Sequence, residues 1–135
     1  MADDALINKA AAIERCVARE HEKYEKAGDN FNQHYSRQDA TILNIKRACE
    51  AALDASQYIV RRDKLGIPQS SRDLFTLLAQ DNKISTKLAE KMKRMVGFRN
   101  IAAHDYQALL LPIVTNIINH HLNDFLQFSE IILKE

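Results

Sequence analysis

Glycine and proline are scarce, with three and two residues in a chain of 135. A sequence so poor in turn formers does not build the many tight turns of an all-β or loop-rich protein. Tryptophan is absent, and the two cysteines, Cys16 and Cys49, each fall inside an apolar helical pattern. They form no disulfide framework and read as reduced core residues of a cytoplasmic protein. No apolar run approaches the roughly 18 residues of a membrane helix, so no membrane association is expected. The Met1-Ala2-Asp3-Asp4 start is acidic and lacks the layout of a secretory leader. No CxxC, HExxH, P-loop, GxGxxG or GxSxG pattern occurs, and there is no internal repeat, which removes the common metal, dinucleotide and serine-hydrolase readings. Neither sign of charge dominates, the net charge being +1.

What the chain does have is apolar periodicity. It is 46% hydrophobic, enough for one core, and residues 1–135 read as a single helical domain. Leu6, Ala10, Ile13, Val17, His21 and Tyr24 recur every three or four residues, the stripe of an amphipathic helix that starts after Asp3 or Asp4 and stops at Gly28-Asp29-Asn30. A second helix is expected over 37–64, with Ser36 and Asp39 as a weak capping box. Its stripe is Ile42, Ile45, Cys49, Ala52, Ser56 and Ile59, widened by Leu43, Leu53 and Val60. Ala48, Ala51, Ala52 and Ala55 would let another helix approach closely. Asp54 and Tyr58, four apart, read either as a bonded pair or as an exposed acid beside a half-buried ring. Gly66-Ile67-Pro68 ends the helix, and Ser70 with Asp73 caps a short third one carrying Leu74, Phe75, Leu77 and Leu78. Asp81-Asn82 breaks that helix and Ser85 caps the next. Leu109 through Ile132 reads as one long final helix, with Pro112 in its first turn or at a kink. The expected fold is an all-α antiparallel bundle of four to five helices. The final helix is apolar on more than one side, which suggests a homodimer.

The fourth helix carries the chemistry. Its stripe of Leu88, Met92 and Met95 or Val96 continues to Arg99, so it delivers a guanidinium to the packed side. A buried guanidinium needs partners, an anion or an accessible seam. Arg99, Asn100, His104 and Tyr106 fall within eight residues. On a continuous helix Arg99 and Tyr106 share a face, whereas His104 stands about 140° from Arg99. A bend, or a second subunit, would be required to bring Arg99 and His104 into one site. Gly97 marks a place where another chain or a ligand comes close. Between positions 83 and 99 six cations (Lys83, Lys87, Lys91, Lys93, Arg94 and Arg99) face a single acid, Glu90. The stretch is either an ordinary solvated face or a surface for a polyanion. Arg61, Arg62 and Lys64, around Asp63, make a smaller basic patch. His120-His121, near Asn116, Asn119 and Asp124, invites a metal reading, but adjacent histidines face apart and no third ligand is in register. No metal and no cofactor is expected.

Arginine grips phosphate with a rigid fork, and histidine accepts or donates a proton near neutral pH. Cleavage of RNA by its own 2′-hydroxyl requires both functions and no metal. The same residues would equally bind a nucleotide or serve a protein interface.

Arg99-Asn100-Ile101-Ala102-Ala103-His104-Asp105-Tyr106 resembles the RNxxxHxY signature of HEPN-domain proteins. More closely, it resembles the HepT-like toxins of two-gene, type VII toxin–antitoxin modules in bacteria and archaea. The lead-in Met95-Val96-Gly97-Phe98 and the loop Gly66-Ile67-Pro68-Gln69-Ser70 are similar to that family too. The helical layout matches over roughly residues 5 to 133, and the specific part is 95 to 106. Ala102-Ala103 stands where bulkier apolar residues are common. The resemblance implies a homodimeric bundle with a cleft between subunits, acting as a metal-independent endoribonuclease. Arg99 and His104 would be catalytic, Asn100 and Tyr106 supporting, and Lys83, Lys87, Lys91 and Arg94 would hold the RNA backbone. The implied partner is a nucleotidyltransferase antitoxin of the MNT type, which adenylylates Tyr106. The alternative is a non-catalytic nucleotide- or nucleic-acid-binding partner of such a nucleotidyltransferase.

Overall fold

The structure, a computed structural model, describes residues 4–27, 35–104, 116–117 and 121–135, with side chains left undescribed at 20–27, 35–39 and 102–104. Among the described residues it is an all-α bundle of five helices: α1 (Asp4–Ala27), α2 (Tyr35–Arg62), α3 (Ser71–Gln80), α4 (Thr86–His104) and α5 (Leu122–Leu133). The side chains of His21, Tyr24, Ser36, Asp39 and His104, and all of Gly28-Asp29-Asn30, Tyr106, Pro112 and His120, lie outside the description.

α2 is the central element, touching α1, α3, α4 and α5. Its predicted stripe is buried throughout, and so are Ala48, Ala51, Ala52 and Ala55, the small residues that allow close approach. Leu6, Ala10, Ile13 and Val17 of α1 are buried too. α1 and α2 run antiparallel, since Lys9 meets Asp54 at 3.2 Å while Arg15 and Arg19 share a groove with Asn44 and Arg47. Asp54 is thus bound to Lys9, with Tyr58 half-buried beside the core. α3 lies on α4 and α2, and Phe75 meets Phe128 of α5 edge to face at 5.7 Å. Aromatic edges and faces attract in this arrangement because their quadrupoles are complementary.

The helix ends follow local chemistry. Ser70 accepts a hydrogen bond from the Asp73 amide at 3.3 Å, as a capping box requires, while the Asp73 carboxylate reaches one residue further, to the Gln69 amide at 3.0 Å. Ser85 accepts from the Leu88 amide at 3.0 Å and caps α4. α3 ends with Asn82 in the left-handed region, at φ 60°, and the Lys83 amide donating back to Leu78.

Four expectations are corrected. α2 begins at Tyr35, which puts Ser36 inside its first turn and not at the cap. It ends at Arg62, because Lys64 turns left-handed (φ 54°) and the Leu65 amide closes onto the Val60 carbonyl at 3.0 Å. Leu43, one position off the buried stripe, is 43% exposed. The final helix is not continuous: helical Asn116–Ile117 leads to a turn at His121, whose ψ of −7° interrupts the ladder before α5.

Candidate active site

Arg99 lies where the α4 stripe meets the exposed side of α2 and the start of α3. Leu88, Met92, Met95 and Val96 are each buried, and their periodicity carries Arg99 to the same side, leaving 18% of its side chain exposed. Its Nη2 donates to Ser71 Oγ at 3.2 Å. Among the described residues its Nε is buried without a hydrogen-bond partner, and the nearest carboxylate, Glu50 Oε1, stands 4.0 Å away. Arg99 is therefore held by a hydroxyl and a distant charge and not by a close ion pair. An open groove of about 380 Å³ runs past it, lined by Glu50, Gln57, Pro68, Gln69, Ser70 and Ser71 among others. The charge of Arg99 is felt at Cys49, whose thiol donates to the Met95 carbonyl at 3.4 Å. Burial nevertheless pushes that thiol far above its ordinary range, with the Arg99 charge opposing. Cys49 is a core hydrogen-bond donor and not a nucleophile.

α4 is helical from Thr86 through His104. The helix is unbroken between positions 99 and 104, which in regular geometry stand about 140° apart around its axis. Asn100 is half-buried on the position after Arg99. Arg99 opens toward α2 and α3, and the His104 side chain, the other half of the site predicted from the motif, lies outside the described residues. Gly97 faces α3. A Cβ there would lie 2.7 Å from Arg72 Nη2.

The basic residues of α4 are not equivalent. Lys83 sits before the helix. It pairs with Glu135 at 2.8 Å, Asp63 at 2.9 Å and Asp81 at 3.4 Å. Lys91 meets the buried Asp124 at 3.4 Å, and Lys93 meets Glu90 at 3.3 Å. Lys87 and Arg94 are exposed and have no ion pair among the described residues. His121, the described half of the histidine pair, bonds Asp124 through Nδ1 at 3.1 Å. The same carboxylate joins α5 to α4 through Lys91.

Sequence reasoning missed Ser71, Glu50 and Arg72. The one signal for Ser71 was the Ser70-Ser71 doublet, of which a helix cap uses only the first. The other two gain meaning only from α2 and α3 packing beside α4.

Comparison with known proteins fits this geometry. The family model described as ribonuclease HepT-like matches residues 12–132. The mRNA nuclease HepT of Shewanella oneidensis is 51% identical over 133 residues, covering 98% of this chain and 99% of that protein. A toxin–antitoxin crystal structure with AMP-PNP superposes with a TM-score of 0.91 at 50% identity, over 98% of this chain and 100% of that one. A structure of the tri-AMPylated HEPN toxin of S. oneidensis in complex with its MNT antitoxin gives a TM-score of 0.92 at 50% identity, over 98% and 99% of the two chains. By sequence over nearly its whole length, the chain belongs to the HepT-like ribonuclease family.

Proposed function

We propose that this protein is the toxin of a two-component toxin–antitoxin module, a metal-independent endoribonuclease in which Arg99 and His104 act on one RNA phosphate. The observation that carries the residue assignment is the state of Arg99. A permanently charged side chain emerges from an apolar stripe at the wall of an open groove, with a serine hydroxyl as its hydrogen-bond acceptor. Such a guanidinium retains donors for an incoming phosphate. His104 acts as the proton carrier. It takes the proton of the 2′-hydroxyl as that oxygen attacks phosphorus, and the 5′-oxygen of the next nucleotide leaves with a proton returned to it. Arg99 steadies the charge that develops on the phosphoryl oxygens. The products are a 2′,3′-cyclic phosphate and a free 5′-hydroxyl.

The helical run from 99 to 104 supports a homodimer as the active form. Two copies of α4 facing each other across a cleft would set Arg99 of one beside His104 of the other. The antitoxin is a nucleotidyltransferase that joins the α-phosphate of ATP to the Tyr106 hydroxyl and releases pyrophosphate. Tyr106 lies two residues beyond His104, so an adenylyl group there adds bulk and negative charge beside the cleft.

The test is cleavage of a messenger RNA by purified, unmodified protein in the presence of EDTA. Wild-type activity should survive the chelator and disappear in Arg99→Ala and His104→Ala. Cleavage retained by a folded R99A protein would refute the assignment.

A further inference from the structure

The described cations fall into two groups. Arg62, Lys83, Lys91 and Lys93 are each held by a carboxylate within 3.4 Å. Arg15, Arg19 and Arg47 are exposed and have no ion pair among the described residues. Yet these three converge. Arg15 and Arg19, four apart on α1, share one face. Arg47 reaches the same place from α2, and together with Ala12, Cys16 and Asn44 they line a groove of about 250 Å³. Three guanidinium groups crowded in this way repel one another, and an anion between them relieves the repulsion. The acids on the neighbouring surface of α2 are engaged elsewhere: Asp54 with Lys9 at 3.2 Å, and Glu50 beside Arg99 at 4.0 Å.

The place of this groove identifies the anion. Arg47 precedes Glu50 by three residues, about 4.5 Å along the axis of α2, and Glu50 faces Arg99. The arginine groove and the Arg99 groove therefore flank the same exposed strip of α2. Its lining offers no large apolar side chain against which a protein partner would dock, and planar forks suit phosphate oxygens. We propose that Arg15, Arg19 and Arg47 form an exosite for RNA, in which phosphates flanking the scissile linkage lie after the strand crosses the exposed face of α2. The inference rests on the ribonuclease reading above. It moves the backbone-holding role from the basic stretch around α4, where Lys83, Lys91 and Lys93 are already paired with carboxylates, to the seam between α1 and α2.

The experiment is a titration of a fluorescent single-stranded RNA with the full-length Arg99→Ala protein, which removes turnover, across a salt series. Substituting Arg15→Gln, Arg19→Gln and Arg47→Gln together should weaken binding about 30-fold near 0.1 M salt. It should also reduce the slope of log affinity against log salt by about 2, as expected for three lost single-strand phosphate contacts. The triple Arg→Lys protein should keep that slope, which separates charge from fold. K87Q/R94Q should bind within about threefold of the parent. With Arg99 restored, the triple glutamine variant should raise KM and leave kcat at saturating RNA. Unchanged affinity and slope in that variant overturn the exosite, even if the wild type cleaves. Normal RNA binding with loss of the antitoxin complex also overturns it and assigns the arginines to the protein partner. A wild type that binds RNA without cutting it, in a manner that depends on the three arginines, refutes the nuclease reading and upholds the exosite.

Discussion

Arg99 is positioned by a hydroxyl. The bond from its Nη2 to Ser71 is 3.2 Å, and among the described residues no carboxylate comes closer than Glu50 at 4.0 Å. Hydrogen bonds to charged groups contribute about 1.5–3 kcal/mol. Ser71→Ala should therefore slow single-turnover cleavage at saturating RNA by about tenfold, and Ser71→Thr should recover most of the loss. An unchanged rate in S71A would show that Arg99 finds its place without help. Under the proposed function the adenylyl group goes to the Tyr106 hydroxyl, which Tyr106→Phe removes. That protein, purified after co-expression with its antitoxin, should show no added mass, whereas the wild type should. The arginine's destination was legible because it continues an apolar stripe. Its partner was not, because Ser71 precedes it by 28 residues on another helix.

At the scale of elements, serine caps hold α3 and α4, two of the three helices that line the groove. Ser70 and Ser85 each satisfy a free amide of a first turn. Replacing either by alanine should cost about 1 kcal/mol, read as a lower urea midpoint with an unchanged slope. The two effects should differ in function. Ser70→Ala loosens the turn that carries Ser71 and should reduce cleavage in the folded protein, while Ser85→Ala, at the far end of α4, should leave it. Both caps were visible in sequence, as was the end of α3 at Asn82. The end of α2 was not, since the left-handed residue is Lys64 and neither side chain nor composition marks it. The turn at His121 was also hidden, because Leu109 to Ile132 keeps its apolar spacing across it.

For the molecule as a whole, α2 is the hub, and a cluster of charges ties its end to the rest. Arg62 and Lys83 both bind Asp63, at 2.8 and 2.9 Å, and both also bind Glu135. The hydrogen bonds from Arg62 and then Lys83 hold the Asp63 carboxyl well below the usual carboxylate range, and those with Asp63 and Glu135 raise Arg62 and Lys83. A depressed carboxylate stabilises the fold fully above its unfolded pKa of about 3.9, and the contribution fades as pH falls from there toward the lower folded value. The raised cations contribute fully below their ordinary values and lose their contribution only as pH climbs past these. Asp63→Asn should thus lower stability at pH 7 and flatten the acid limb of a urea-midpoint profile between about pH 5 and pH 2. An equally steep limb in the variant would mean that other carboxylates control acid unfolding.

Sequence alone determined the helical class, the helix boundaries at Ser70, Asn82 and Ser85, the buried stripes and the motif from Arg99 to Tyr106. These are local properties: a repeat of three or four residues, a capping side chain, a run of residue types. The tertiary structure alone decided which charges remain free. Ion pairs join residues far apart in the chain, as Lys83 with Glu135 and Lys91 with Asp124 do, so the basic run from Lys83 into α4 loses much of its field on folding. Arg15, Arg19 and Arg47, scattered over two helices, become a cluster only because α1 and α2 lie side by side.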